Sequence, residues 1–310
     1  MKLGFYGEYS EESLQFAAEV GFECMEFSAW PKSTLNADQI DDRQIEEILK
    51  NLEKYNIEAS SLGFYPNYLD PNKEESDEAI RYFMKVIELA EKMNVKTVST
   101  FAGRNPQLTV EENIPLFKEV FSRFCEEAEK RGVRIAIENC PMVNHYRSEG
   151  LNIAYSPEIW EVMFEAVPSD YLGLEIDPAH MVWQGIDYVK AIKEFGHKIF
   201  HAHAKDMEIL YDVRARVGIF GQVMSKVDDL GHGWWRGRTP GWGEVKWDQF
   251  ITALIEVGYK GNIVIEHEDP VFANTIDMND IEEESDVVHN YVQDRNGLIL
   301  GYRTLRQLIP

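Results

Sequence analysis

The strongest constraint on this chain is a regular alternation of eight short, buried-type runs with stretches of helical spacing. The runs are KLGFYG (2–7), CMEFSA (24–29), EASSLGF (58–64), VKTVSTF (95–101), VRIAIEN (133–139), YLGLEID (171–177), KIFHAHAK (198–205) and NIVIEHE (262–268). Between them, IEEILKNLEKYNI (45–57), AIRYFMKVIELAEKM (79–93) and PLFKEVFSRFCEEAEKRG (115–132) place apolar residues three and four apart. That is the period of a helix with one buried face. Several of these stretches end in a glycine or short polar turn just before the next run, as in EKRGVRIAI (129–137) and WDQFITALIEVGYKGNIVI (247–265). Repeated strand–helix units of this kind imply parallel strands joined by right-handed crossovers. Eight units predict an α/β protein folded as a single (β/α)8 TIM barrel domain over residues 1–310. A doubly wound open sheet is the alternative, but no G-x-G-x-x-G follows the first run.

Two segments exceed a minimal barrel. Residues 206–246 form a long loop after the seventh strand, ending in the tryptophan-, glycine- and arginine-rich GHGWWRGRTPGWGEVKW (231–247). Connections of this length tend to be functional lids or disordered, and the aromatic residues argue against disorder. The acidic DMNDIEEESD (277–286) reads as a solvated loop and helix start.

Hydrophobic residues at 44% supply an ample core, and the formal charge of −23 narrows the partners. Phosphate backbones and anionic membranes are met with Lys and Arg, so neither nucleic acid nor membrane is an expected partner. Cys24, Cys125 and Cys140 are too few and scattered for a disulfide framework or a C-x-x-C metal site. No apolar leader or long apolar run occurs, so a soluble, cytoplasmic protein with reduced thiols is expected.

In such a barrel the reactive side chains stand at the C-terminal ends of the strands. The fifth run ends at Glu138, the sixth at Asp177, the seventh at His203 and the eighth at Glu266. Three carboxylates and one imidazole on four successive strand ends match one divalent cation that prefers oxygen with some nitrogen. Mn²⁺ is favoured, with Co²⁺, Mg²⁺ and Zn²⁺ as alternatives. The cation would also remove the objection to clustering three negative charges. Period two along the seventh run puts His201, His203 and Lys205 on one face. Lys205 is a candidate to hold a substrate oxygen, with a salt bridge to a nearby acid as its simpler role. Asp206 is a candidate to orient a metal ligand from behind, and Glu175, one layer deeper than Asp177, suits a structural hydrogen bond. His145, on the loop after Glu138, is a further substrate-facing candidate, as is His180. Arg214, Arg216, Arg236 and Arg238 are weaker candidates for clamping an anion, while Tyr6, Trp30 and Phe64 either wall a pocket or fill core.

These residues carry a resemblance. AIENCPM (136–142), LEIDPAHMVWQGID (174–187), FHAHAKD (200–206) and PGWGEVKWDQFITALIEVGYKGNIVIEHEDP (240–270) resemble the xylose isomerase-like barrel superfamily, in its sugar phosphate isomerase/epimerase branch. The match is good from the fifth strand onward, and the first half shares only the general pattern. The resemblance implies a metal held by Glu138, Asp177, His203 and Glu266, with Glu138 and Glu266 doubling as acid and base. It also implies a substrate contact from His180 of the D-x-x-H motif. The implied reaction is isomerisation or epimerisation of a keto sugar or related polyol through a metal-stabilised enediolate. A lyase acting on an inosose or a 3-keto-glycoside is the alternative. A DNA-repair endonuclease shares the fold but adds histidines at the ends of the third and fourth strands, where this chain has LGFYPNY (62–68) and STFAGRN (99–105). The expected partner is thus a small-molecule carbohydrate, with a homo-oligomer as the quaternary expectation.

Overall fold

The structure is a computed structural model that describes residues 1–143, 150–220, 233–272 and 295–310. Eight parallel strands close into a barrel: β1 (Leu3–Gly7), β2 (Cys24–Ser28), β3 (Glu58–Gly63), β4 (Thr97–Thr100), β5 (Arg134–Glu138), β6 (Leu172–Ile176), β7 (Ile199–His203) and β10 (Ile263–Ile265). Each of the eight runs supplies one strand, in the order β1-β10-β7-β6-β5-β4-β3-β2 around the barrel. Closure is made where Leu3 pairs with Ile263 and Phe5 with Ile265.

Ten α-helices lie among the described residues: α1 (Glu11–Val20), α2 (Asp42–Tyr55), α3 (Lys73–Lys92), α4 (Val110–Arg131), α5 (Pro157–Ala166), α6 (Pro178–Gln184), α7 (Tyr188–Phe195), α8 (Tyr211–Val217), α9 (Trp247–Glu256) and α10 (Arg295–Leu305). Their boundaries have local causes. Ser10, Asp41 and Thr109 cap α1, α2 and α4 with reciprocal capping boxes, each satisfying amide groups that the first turn leaves unpaired. Gly21 and Gly132 end α1 and α4 in the left-handed conformation that glycine adopts without strain. No helix among the described residues is long and apolar enough to cross a membrane.

Strand alternation sorts the side chains into two environments. Ile135, Ile137, Leu172, Leu174, Ile176, Ile263 and Ile265 are buried in the large apolar cluster that also holds the helix residues. The opposite face of the strands fills the barrel, and there the usual branched apolar layers give way to polar groups. Glu26, Ser61, Ser99 and Glu175 are wholly buried inside, with His201 and His203 almost so. Phe64 packs on Tyr82 and Phe83 and belongs to the core, with Trp30 against its ring. Tyr6 faces the barrel interior beside Tyr65.

The connection after β7 contains elements of its own. Strand β8 (Asp206–Ile209) pairs antiparallel with β9 (Trp235–Arg238), Asp206 opposite Arg238. Met207, Ile209, Trp234 and Trp235 form a small apolar cluster against Ala179, and Trp183 stacks on Trp235 at 4.4 Å. The expected metal-orienting role of Asp206 is corrected here. Its carboxylate accepts hydrogen bonds from the Met207, Gly241 and Val245 amides and from the Trp247 indole, all at 2.8–2.9 Å. It therefore fastens the 241–247 segment back onto β8. The acidic stretch 277–286 lies outside the described residues.

Gly173 shows how tightly the lower barrel is closed. A Cβ added there would stand 2.2 Å from the Lys198 carbonyl oxygen and 2.6 Å from the Phe200 ring. Gly173→Ala should therefore lose about 1–3 kcal/mol, the usual cost of overpacking a dense core, with chemical denaturation as the measurement. A variant as stable as the parent would show that β6 and β7 are not held at this spacing.

Candidate metal centre

The site is built where four neighbouring strands of the barrel, β10, β7, β6 and β5, end on the same rim. Glu138 is the last residue of β5 and pairs in register with Glu175 on β6. Asp177 follows β6 directly, His203 closes β7, and Glu266 follows β10.

Two asparagines fix the backbone at this point. Asn139 accepts from the Asp177 amide at 2.7 Å and donates to the Asp177 carbonyl at 2.9 Å, tying the ends of β5 and β6 together. Asn152 donates to the carbonyls of Glu138 and Cys140 and accepts from the Ala102 amide. Asp177 is itself the cap of α6. Its Oδ1 accepts from the Ala179 amide at 2.8 Å, which leaves Oδ2 for the centre.

Ligand atoms from Glu138, Asp177, His203 and Glu266 all lie within 4.8 Å of one another. Two ligands each about 2.1 Å from one ion can be no more than about 4.2 Å apart, so only small inward shifts separate this arrangement from coordination. His203 Nδ1 is 3.6 Å from Glu138 Oε1 and 3.6 Å from Glu266 Oε2. His180 Nε2 adds a polar atom 3.3 Å from Asp177 Oδ2 and 3.6 Å from Glu138 Oε1.

The residues fit a cation on one further observation. Glu138 Oε1, Asp177 Oδ2, His180 Nε2 and His203 Nδ1 are buried without a hydrogen-bond partner. Leaving one such atom unsatisfied costs about 1–3 kcal/mol; those of Glu138, Asp177 and His203 belong to the four-residue group and would be satisfied by a divalent ion.

The electrostatics point the same way. Burial pushes the Asp177 carboxyl up to about 6, so a nearby cation is what would hold it ionised. Burial opposes ionisation of Glu266 as well, but the Lys205 ammonium and His203 hold it well below the usual carboxylate range. In Glu138, burial and the Glu266 charge push up, and contacts with His180 and His203 bring it below its ordinary value.

A second group of potential ligands, Glu26, Glu175, His201 and His203, lies one layer deeper. Its atoms already bond to one another. Glu175 Oε1 is 2.7 Å from both the Ser99 hydroxyl and His201 Nδ1, and Glu175 Oε2 is 2.8 Å from the Tyr65 hydroxyl, whose single hydrogen it shares with Glu26. Glu26 bonds Tyr65 at 2.5 Å and His203 Nε2 at 3.0 Å. The structural hydrogen bond expected of Glu175 is present.

The remaining sequence candidates fall in different places. Lys205 forms ion pairs with Glu266 at 3.1 Å and with Glu268. Arg236 and Arg238 pair with Glu208, and Arg238 also with Asp269. Arg214 lies over the Tyr211 and Trp234 rings, and Arg216 is exposed. The arginines with described partners thus bind carboxylates and rings, and the weaker reading of an anion clamp gains no support from these contacts. His145 lies outside the described residues. Sequence reasoning missed Glu26, Tyr65, Asn139 and Asn152. Of these only Glu26 left a signal, a carboxylate in the middle of the buried run CMEFSA.

Fold and centre together define a TIM barrel with a rim site suited to a divalent metal. The chain belongs to the xylose isomerase-like TIM barrel family, whose model matches residues 14–290. It is 29% identical over 290 residues to the uncharacterized protein YfiH of Bacillus subtilis, covering 84% of this chain and 88% of that protein. It is 25% identical over 260 residues to inosose dehydratase 2 of Bacillus cereus, covering 80% of each. Among solved structures, the IOLI protein with a binding zinc atom superposes at TM-score 0.69 with 18% identity, covering 100% of this chain and 99% of that one. D-psicose 3-epimerase in the presence of D-fructose superposes at 0.68 with 16% identity, covering 98% and 99%. Structural similarity at these identities establishes a shared fold.

A ligand that binds only the folded chain stabilises it by about 2.7 kcal/mol at one hundred times its dissociation constant. Mn²⁺ or Zn²⁺ should therefore raise the melting temperature of chelator-treated protein by several degrees, and Asp177→Asn should abolish most of that rise. An equal rise in the variant would place the ion elsewhere.

Proposed function

We propose that this protein is a divalent-metal-dependent isomerase or epimerase of a keto sugar or related polyol, with Glu138 and Glu266 as its acid–base pair. The observation that carries this reading is the placement of the two glutamates. They stand at the two ends of the arc β10-β7-β6-β5, each 3.6 Å from the same nitrogen of His203. A bound divalent cation would supply the positive charge that acidifies the carbon next to a substrate carbonyl. One glutamate takes the proton from that carbon, and the electron pair left behind spreads onto the carbonyl oxygen. Return by the other glutamate of a proton it has drawn from solvent gives the epimer; return to the former carbonyl carbon, with the proton of the neighbouring hydroxyl passing to the former carbonyl oxygen, gives the aldose–ketose isomer. General acid–base catalysis of this kind contributes about 10²–10⁴-fold.

His180, buried beside Asp177 and Glu138, is suited to bind a substrate hydroxyl through Nε2. Lys205, with its charge shared between Glu266 and Glu268, holds the Glu266 carboxylate in place and presents little free positive charge. Together with the paired Arg236 and Arg238, this favours an unphosphorylated substrate. A phosphorylated sugar should show a kcat/KM lower by at least about tenfold, 1.36 kcal/mol, than its uncharged counterpart. Preference for the phosphorylated form would refute that part of the reading.

A second reading, a lyase that expels a hydroxyl β to the carbonyl after the same proton removal, is favoured by the similarity to inosose dehydratase 2. One experiment separates the two. The protein, loaded with Mn²⁺, is incubated with keto sugars and inososes in deuterated water. A deuterated epimer or isomer supports the first reading, and a dehydrated product the second. Glu138→Gln and Glu266→Gln should each reduce turnover at least about 10²-fold with melting of the metal-free protein little changed. Undiminished turnover in either would remove that glutamate from the chemistry.

A further inference from the structure

The two nitrogens of His203 lie in opposite surroundings. Nδ1 is buried, has no hydrogen-bond partner, and stands 3.6 Å from Glu138 and Glu266. Nε2 points down the barrel to Glu26 Oε2 at 3.0 Å. A second carboxylate oxygen, Glu175 Oε1, is 3.3 Å from Nε2, but it already has the Ser99 hydroxyl and His201 Nδ1 at 2.7 Å. Glu26 is therefore the acceptor for Nε2.

An imidazole that binds a metal must offer a bare nitrogen, and its other N–H is usually held by a carboxylate or carbonyl that fixes the tautomer. We infer that Glu26 is a positioning residue: by accepting the Nε2 hydrogen of His203 it keeps the Nδ1 lone pair directed at the centre formed with Glu138, Asp177 and Glu266. Glu26 is wholly buried on β2, three strands round the barrel from β7, and Tyr65 anchors its other oxygen. Gly63 leaves the space it occupies, since a Cβ there would stand 2.6 Å from Glu26 Oε1 and 2.8 Å from the Tyr65 ring. A carboxylate accepts both the Tyr65 and the His203 bonds, whereas an amide in its place offers a single acceptor oxygen.

This inference rests on the metal centre and is indifferent to whether the reaction is epimerisation or elimination. The test is proton-detected ¹⁵N spectroscopy of histidine side chains in the Zn²⁺-loaded protein, with Zn²⁺ affinity measured by competition with a chelating dye. In the wild type, Nε2 of His203 should carry the proton and Nδ1 the metal. Glu26→Gln should bind Zn²⁺ about 10- to 100-fold more weakly and lose or shift the Nε2 proton signal. A bare Nε2 in the zinc-loaded wild type would overturn the role of Glu26 without any variant. So would unchanged affinity in Glu26→Gln, or weakened affinity with the Nε2 proton signal intact. Failure of the wild type to bind Zn²⁺ at Asp177 and His203 would instead count against the centre itself.

Discussion

Glu138 and Asp177 are almost wholly buried at the barrel rim, with Glu266 close by, so negative charge is concentrated where water is largely excluded. Burial of like charges in a low-dielectric space is unfavourable by several kcal/mol per ion unless an opposite charge shares it. The chain offsets part of that with Lys205 and the two histidines. At the rim, Glu138 Oε1, Asp177 Oδ2 and His203 Nδ1 remain unmatched, and a single divalent ion among them would resolve the imbalance.

Rigidity in the surroundings follows from this arrangement. The candidate ligands come from the ends of strands whose register is set by ladder hydrogen bonds, with the Asn139 side chain bonded to the Asp177 backbone and that of Asn152 to the Glu138 and Cys140 carbonyls. Beneath the rim, the layer of Glu26, Tyr65, Ser99, Glu175 and His201 replaces the apolar packing of an ordinary barrel with closed hydrogen bonds. A fully satisfied polar layer fixes orientation in a way that interchangeable methyl groups do not. The site thus stands on a rigid polar floor, and the tryptophan cluster of β8 and β9 flanks α6, which carries His180.

The barrel was legible because each strand is a buried run bounded by turn residues, and a parallel strand buried on both faces leaves that mark locally. Glu138, Asp177, His203 and Glu266 were legible for the same reason: where a run ends, the rim begins. Glu26 sits within a run, and its meaning depends on His203, 177 residues away in sequence. Asn139 and Asn152 act through backbone groups of other strands, a relation of register that no local pattern carries. Asp206 illustrates the converse. Its place beside Lys205 suggested the metal, but the amides of 241–247, brought back by the β8–β9 pairing, claim its oxygens. Lys205 was open to two roles, and only the rim geometry brings it against Glu266 and Glu268.

The most direct measurement is anomalous X-ray diffraction from crystals of the protein grown with Mn²⁺ or Zn²⁺, recorded on both sides of the metal absorption edge. The account predicts one principal peak, within about 2.0–2.2 Å of oxygens of Glu138, Asp177 and Glu266 and of Nδ1 of His203. A principal peak in the deeper layer among Glu26, Glu175 and His201, or no peak in the barrel, would contradict it.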